Sequence, residues 1–150
     1  MIINWEVIPL LVGFVFSYLI YSYKKFRLGG VISLPLLAIY TIKFPLIALV
    51  IVLSSVIIFF ILEILMERIV IYGRRLLYIA MVLSVSIMVV VELYISRNPE
   101  WYALLLSGLI AYNYHRENHS GVDIKKSILF YFLLYLICLV SSIVAFFIIK

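Results

Sequence analysis

Three groups of ionisable residues in this sequence have types and spacings that could support chemistry. In the stretch HRENH, His115 and His119 are four residues apart, with Glu117 between them. On a helix the two imidazoles would share one face and could bind a metal ion such as Zn²⁺. The neighbouring sequence offers no third or fourth ligand, and the order differs from the His-Glu-x-x-His motif of metalloproteases. We therefore predict a solvated loop at residues 115–119 and no metal site.

The second and third groups are carboxylates that lie within apolar stretches. Glu63 and Glu67 are four residues apart, so on a helix their like charges would cost roughly 0.2–0.5 kcal/mol. An arginine of the following loop could supply the compensating cation. Glu92 lies within another apolar stretch, and an ionisable side chain inside a membrane span is a functional candidate. The simpler interpretation is that the Glu92 carboxylate forms a buried ion pair or that its side chain extends to the membrane surface.

The sequence contains no recognisable catalytic constellation. It has no Ser-His-Asp arrangement, no glycine-rich phosphate loop and no cluster of metal-ligating cysteines. Cys138 is the only cysteine and lies in an apolar run, which excludes an intrachain disulfide. We therefore expect this chain not to be catalytic alone.

Composition indicates that the lipid bilayer is the solvent of this protein. The chain has 150 residues, of which 67% are hydrophobic, whereas soluble domains are about 45–50% apolar. No polar stretch is long enough to form a separate catalytic domain, so residues 1–150 are predicted to form a single polytopic membrane domain. The net charge of +5 comes from basic residues at the ends of apolar runs. That placement is typical of membrane insertion and argues against nucleic-acid binding.

The lengths of the apolar runs predict an all-α integral membrane protein with about six hydrophobic segments. A spanning helix needs about 20 apolar residues. Four segments reach that length, at residues 5–23, 45–66, 76–96 and 127–149. Two more, at residues 31–42 and 101–114, are shorter. We predict that Pro35 interrupts the first short segment and that Gly108 interrupts the second.

The charges of the loops predict the orientation of these segments. Nine of the twelve Lys and Arg residues fall in three loops, which are therefore expected to be cytoplasmic. They are Lys24, Lys25, Arg27, Arg68, Arg74, Arg75, Arg116, Lys125 and Lys126. If the short segments cross, there are six crossings with both termini outside. If the short segments enter and return, four spans remain and Lys24 and Arg74 lie on opposite sides, which conflicts with the charge bias. We predict crossing, in a multi-pass protein of the cell membrane.

An internal similarity predicts two inverted repeats. LPLLAIY at residues 34–40 is similar to SGLIAYN at residues 107–113, and each lies between two longer apolar segments. Units of about 1–71 and 72–150 would each contain three segments and so would have opposite orientations. In such proteins function lies at the interface of the repeats. Small residues spaced four apart also predict close helix packing. They are Gly13 and Ser17, Ala80 and Ser84, Ser107 and Ala111, and Ser141 and Ala145.

Three stretches give the chain a resemblance to a known family. VIYGRR, residues 70–75, opens an apolar segment, KKFRLGGVISLPLLAIY covers residues 24–40, and LLLSGLIAYNYHR covers residues 104–116. In order, spacing and hydropathy the chain resembles the membrane subunit of poly-γ-glutamate synthase, the PgsC/CapC family. The Pro-Gly pairs of that family are replaced here by Leu34-Pro35 and Ser107-Gly108.

The resemblance implies a membrane subunit of a poly-γ-glutamate (capsule-type polymer) synthesis and export complex. Such a subunit anchors a cytoplasmic ATP-dependent amide ligase, helps hold or pass the polymer, and works with an extracytoplasmic subunit. ATP and Mg²⁺ would bind the ligase, with no cofactor on this chain. Basic residues at the cytoplasmic side, with the Tyr-Gly pair that precedes two of them, are expected to contact the anionic polymer or the ligase; the alternative is that the basic residues only set topology. The residues concerned are Tyr72, Gly73, Arg74, Arg75, Arg116, Lys24 and Lys25.

Two other functions fit the pattern of segments. A small-solute transporter or channel could be built on an inverted repeat, with Glu92 in the pathway. A pure membrane scaffold would have no polymer path. Six packed segments leave little central room, so we also expect self-association or a partner subunit.

Overall fold

The computed structural model describes residues 4–24, 31–68, 73–94, 99–119 and 124–149. Within these residues the chain forms helices and no strand, which confirms the all-α class. The α-helices are α1 (Val7–Lys24), α2 (Ser33–Lys43), α3 (Pro45–Arg68), α4 (Arg74–Tyr94), α5 (Leu105–Asn118) and α6 (Ile124–Ile149). A 3-10 helix, Pro99–Leu104, leads directly into α5.

Within the described part of the chain, three helices are long and apolar enough to cross a membrane. They are Pro45–Arg68, Arg74–Tyr94 and the Ile128–Ile149 part of α6. The fourth long segment expected from the sequence corresponds to α1, Val7–Lys24, in which the described apolar part is Val7–Ile20. In the apolar parts of α4 and α6 only 17% and 22% of the residues are buried inside the protein. Such a large exposed apolar surface is suited to hydrocarbon, so this is a membrane protein.

The core lies around α3, which contacts α2, α4, α5 and the 3-10 helix. Ile51, Ile58 and Leu62 of α3 are fully buried. The first half of α3 packs against α2 and the 3-10 helix, with Trp101 and Leu104 in the same cluster. The second half packs against the start of α4 and the middle of α5. Side chains of α3 therefore fill the centre of the described structure.

Contacts between helix termini define two ends of the molecule. At one end, which we call the Lys43 end, Lys43 of α2 forms an ion pair with Glu6. Trp5 packs edge-on against Phe146 near the end of α6, with ring centroids 5.4 Å apart. At the other end His115 of α5 contacts Glu63 near the end of α3. This second end, which we call the basic end, carries Arg68, Arg74, Arg75, Arg116, Lys125 and Lys126.

Helix α1 runs from the Lys43 end to the basic end. It packs against α6 along its length, since Trp5 contacts Phe146 and Ile20 joins the cluster around Leu134. Its 18 residues measure about 27 Å at 1.5 Å per residue. Consequently α1 and α3 both terminate at the basic end.

The prediction that Pro35 and Gly108 interrupt the short segments is wrong. Helix α2 is continuous from Ser33 to Lys43, and Pro35 lies in its first turn, where a missing N–H breaks no helical hydrogen bond. Gly108 lies inside the continuous helix α5. The chain changes from 3-10 to α geometry between Leu104 and Leu105, before Gly108 is reached.

Small residues bring neighbouring helices close together, as the spacing predicted. A Cβ added at Gly108 would lie 2.7 Å from the Ala80 carbonyl oxygen and 3.0 Å from the Ser84 Cβ. A Cβ added at Gly13 would collide with the Pro35 ring. The two glycines therefore allow α5 to pack closely against α4, and α1 to pack closely against α2.

Replacing Gly108 with alanine is expected to destabilise the protein by about 1–3 kcal/mol, the usual cost of overpacking. The added methyl group would meet backbone of α4, which cannot move aside as a flexible side chain can. Thermal unfolding of the detergent-solubilised protein measures the effect. Ser86→Ala, on the exposed side of α4, is the control and should leave the transition unchanged. Equal stability of the two variants would contradict the close approach of α4 and α5.

Candidate functional site

The Ser107-Gly108 pair belongs to a buried hydrogen-bonded junction between α4 and α5. Ser84 Oγ donates to the Leu104 carbonyl oxygen at 2.7 Å, and Ser107 Oγ donates to the same oxygen at 2.6 Å. The two hydroxyl oxygens are 3.3 Å apart. Polar groups in hydrocarbon must find partners within the protein, and this carbonyl has two. The pair therefore acts in helix packing at the point where the 3-10 helix becomes α5.

The Leu34-Pro35 pair has a similar packing role on α2. Leu34 is buried in a cluster with Ala38, Leu134 and Cys138, which joins α2 to α6. Two turns further on, Thr41 Oγ1 lies 3.0 Å from the Tyr135 hydroxyl oxygen of α6. Both pairs of the resembled motif thus lie in helix interfaces.

Gly73, Arg74 and Arg75 of the Tyr-Gly-Arg-Arg motif lie at the start of α4, at the basic end. Gly73 has φ of +66°, in the left-handed region that favours glycine, and α4 begins at the next residue. The side chains of Arg74 and Arg75 are exposed. Cations at a helix N-terminus oppose the helix dipole, at a cost of roughly 0.3–1 kcal/mol each. Helix stability therefore does not explain this pair, whereas topology or anion binding does.

Arg116 is exposed at the same end of the molecule, in the last turn of α5. Its guanidinium carbon lies 5.9 Å from the ring centroid of Tyr112, one turn earlier. Lys125 and Lys126 are also exposed at the start of α6. Tyr72 and Lys25 lie outside the described residues, as does the side chain of Lys24.

The prediction of a solvated loop at residues 115–119 is wrong, because the helix continues through this polar stretch. Helix α5 extends to Asn118, and the exposed fractions of His115 and Glu117 are only 1% and 5%. The sequence is locally polar, but packing against α3 covers the face of this turn that carries His115. Arg116 and His119 remain exposed.

Glu63 contacts residues of α5 and the adjoining His119. The sequence predicts an arginine as its partner, whereas the described contacts are two histidines and an asparagine. Its Oε1 lies 3.0 Å from His115 Nδ1 and accepts a hydrogen bond from Asn118 Nδ2 at 3.3 Å. Its Oε2 lies 3.9 Å from His119 Nε2. The structure thus adds a carboxylate to the two histidines, 52 positions before His115 in the chain. In the sequence these residues belong to two separate groups.

Glu92 lies in the last turn of α4 and is half-buried. Since α4 begins at the basic end, this turn is close to the Lys43 end. A position near a helix terminus fits a carboxylate that reaches the membrane surface. The ion pair considered for Glu92 stays a prediction.

Together the fold and the basic end define a helical membrane protein with cations concentrated at one end. The family model described as capsule biosynthesis CapC matches residues 12–121. The match covers more than half of the sequence, so the chain belongs to the capsule biosynthesis CapC family. This confirms the resemblance drawn from the motifs and makes the protein a capsule-related membrane subunit. Neither a curated protein nor a solved structure matches the chain.

Gly73 can be tested by a pair of substitutions that differ in backbone preference. Gly73→Val is expected to cost about 1–2 kcal/mol, because an L-residue is strained in the left-handed region. Gly73→Asn should cost less, since asparagine adopts this conformation more readily. A Cβ at this position would have no neighbour within 4 Å, so the difference would be conformational and not steric. Thermal unfolding measures both variants, and equal stabilities would contradict the observed turn.

Proposed function

We propose that this protein is the membrane subunit of a poly-γ-glutamate synthesis and export complex. Its role is to anchor a cytoplasmic ATP-dependent amide ligase and to help hold or pass the polymer. The observation that carries the proposal is the exposure of Arg74, Arg75 and Arg116 at one end of a CapC-family membrane protein. ATP and Mg²⁺ are assigned to the ligase, and this chain has no catalytic role alone.

The chemistry of arginine supports an acidic partner at the basic end. Poly-γ-glutamate carries about one carboxylate per residue, and a guanidinium can bind a carboxylate through two parallel hydrogen bonds. The free N–H groups at the start of α4 add to the positive potential around Arg74 and Arg75. Either the polymer or an acidic surface of the ligase would be attracted there. An extracytoplasmic capsule-biosynthesis subunit would then meet the Lys43 end.

We propose six crossings, arranged as two inverted three-helix repeats. The contacts between helices support this arrangement. The middle helix of each unit packs against the last helix of the other, α2 against α6 and α5 against α3. The first two helices of each unit also meet at a glycine, Gly13 against Pro35 and Gly108 against Ser84. Termination of α1 and α3 at the same end fits crossing better than re-entry.

We also propose that a polymer path requires a second copy or a partner subunit. The side chains of Ile51, Ile58 and Leu62 fill the middle of the described helices. A hydrated polyanion would have to displace this apolar core to pass through a single copy. A path formed between this chain and another chain requires no such change.

The first test is recovery of the ligase with the tagged protein from its native cells. In gentle detergent we expect mass spectrometry to identify an ATP-dependent amide ligase that copurifies with the wild-type protein. Arg74→Ala combined with Arg75→Ala should lower that recovery by roughly tenfold or more, because hydrogen bonds to charged groups contribute about 1.5–3 kcal/mol each. The amount of each variant in the membrane is measured in parallel.

Lys125→Ala combined with Lys126→Ala is the matched control, since it removes the same charge from the same end. We expect this lysine variant to retain the ligase. Equal loss in both variants would mean that only total charge matters. Purification of the wild-type protein without a ligase would contradict the obligate complex. Substrate flux in liposomes containing this protein alone would then favour the transporter function.

Topology can be tested with single cysteines placed near helix termini in a Cys138→Ser background. Ser22→Cys in α1 and Glu67→Cys in α3 should both react with a membrane-impermeant maleimide only after permeabilisation. Asn4→Cys should react in intact cells, because it lies at the Lys43 end. Reaction of the Ser22 and Glu67 variants from opposite sides would contradict six crossings and support re-entrant short helices.

A further inference from the structure

We call the side chains of Glu63, His115 and His119 the Glu63 cluster. One of them is buried and the other two are accessible to solvent. The His115 side chain is only 2% exposed, so packing between α3 and α5 fixes its position. The side chains of Glu63 and His119 are 28% and 47% exposed. A small ion could therefore reach the cluster from the aqueous side without separating the helices.

The distances within the Glu63 cluster are close to those of a zinc site. One ligand atom from each residue can be chosen so that all three lie within 4.8 Å of one another. Metal–ligand bonds of about 2.0–2.1 Å in a tetrahedral site place ligand atoms about 3.3 Å apart. His115 Nδ1 and Glu63 Oε1 are already 3.0 Å apart, and His119 Nε2 is 3.9 Å from Glu63 Oε2. A modest rotation of the exposed His119 would complete the geometry.

Hydrogen bonds around the cluster orient the nitrogen atoms for metal binding. His119 Nδ1 lies 3.2 Å from the His115 carbonyl oxygen, and as the N–H donor it leaves the Nε2 lone pair free. His115 Nε2 faces the thioether sulfur of Met66 at 2.8 Å, which leaves Nδ1 directed at Glu63. Asn118 Nδ2 donates to Glu63 and holds the carboxylate. Partners of this kind around the ligands commonly set ligand orientation in metal sites.

The basic end as a whole is positively charged, but the charged residues that adjoin the cluster on α5 and α3 leave room for a cation. Arg116 follows His115 in the chain, but its guanidinium lies over the Tyr112 ring, one turn back along α5. Glu67 is exposed one turn beyond Glu63 on α3 and adds negative charge to this part of the basic end.

We propose that Glu63, His115 and His119 bind one divalent transition-metal ion of the zinc type. Two imidazoles and a carboxylate suit Zn²⁺, with water as the fourth ligand. The ion lies between His115 Nδ1 and Glu63 Oε1, and the neutral imidazole carries its proton on Nε2, which faces the Met66 sulfur. Bound in this way, the ion joins the end of α5 to the end of α3. The proposal is independent of polymer synthesis.

The test uses the full-length protein in detergent, purified with an affinity tag that contains no histidine and stripped with a chelator. Zn²⁺ is added, unbound metal is removed, and elemental analysis gives the bound metal per chain. We expect one Zn²⁺ per wild-type chain, a higher unfolding temperature with Zn²⁺, and the absorption bands of tetrahedral Co²⁺ when cobalt replaces zinc. His119→Ala should lower the affinity by more than the roughly 10–100-fold that loss of an outer partner costs.

Glu67→Gln is the matched control, because it removes an exposed carboxylate from the same helix without touching the cluster. This variant should keep the wild-type affinity. Glu63→Gln should lose binding, and if it fails to fold, His119→Ala still decides the question because His119 is largely exposed. The proposal is overturned if the wild-type protein binds no stoichiometric Zn²⁺. It is equally overturned if His119→Ala and Glu67→Gln bind Zn²⁺ alike.

Discussion

Hydrocarbon provides no hydrogen-bond partners, and this constraint determines how the two short helices are held. Helix α2 has 11 residues and measures about 16 Å, roughly half of a bilayer core. Its termini would expose unpaired backbone groups if lipid surrounded it. The protein places α2 between α1, α3 and α6, and six of its residues are buried. Helix α5 is enclosed in a similar way by α3 and α4, so the long helices form the lipid-facing wall.

The same constraint concentrates charge at the two ends of the molecule. At the Lys43 end the cation is paired with Glu6 and lies 5.6 Å from the centroid of the Trp5 ring. At the basic end the cations at the start of α4 are exposed, even though the helix dipole disfavours them there. Because these cations lower the stability of α4, their presence is better explained by membrane orientation or by recognition of an anionic partner. Among the described residues the two ends thus differ: Lys43 is paired with a carboxylate, whereas the basic end carries surplus positive charge.

Hydropathy predicts the helical class and the approximate positions of the described α-helices, because in a membrane the length of an apolar run limits the length of the helix. It did not predict the roles of Pro35 and Gly108. Taken alone, each residue is a helix breaker, yet Pro35 lies in a first turn and Gly108 allows contact with α4. These outcomes depend on neighbouring helices, which local propensity does not include.

The polar stretch after residue 114 shows the same limit for the candidate sites. Local polarity indicated a loop, whereas packing against α3 buries His115. The contact with Glu63 joins residues that are 52 positions apart, so no local motif could reveal it. By contrast, the arginines were identifiable from sequence, since their exposure at helix ends follows from the cost of burying charge.

The junction between α2 and α3 has a mechanical consequence. Only Phe44 separates the two helices, and its backbone is bonded on both sides: its N–H donates to Tyr40 at 2.7 Å and its carbonyl accepts from Ala48 at 3.1 Å. The backbone between α2 and α3 is therefore short and hydrogen-bonded on both sides, which restricts the angle between the two helices. A tilt of α3 imposed at the basic end must swing α2 with it, and α2 is seated on α6. The junction thus links α3 to α6 through the backbone hydrogen bonds at Phe44 and the packing of α2 on α6.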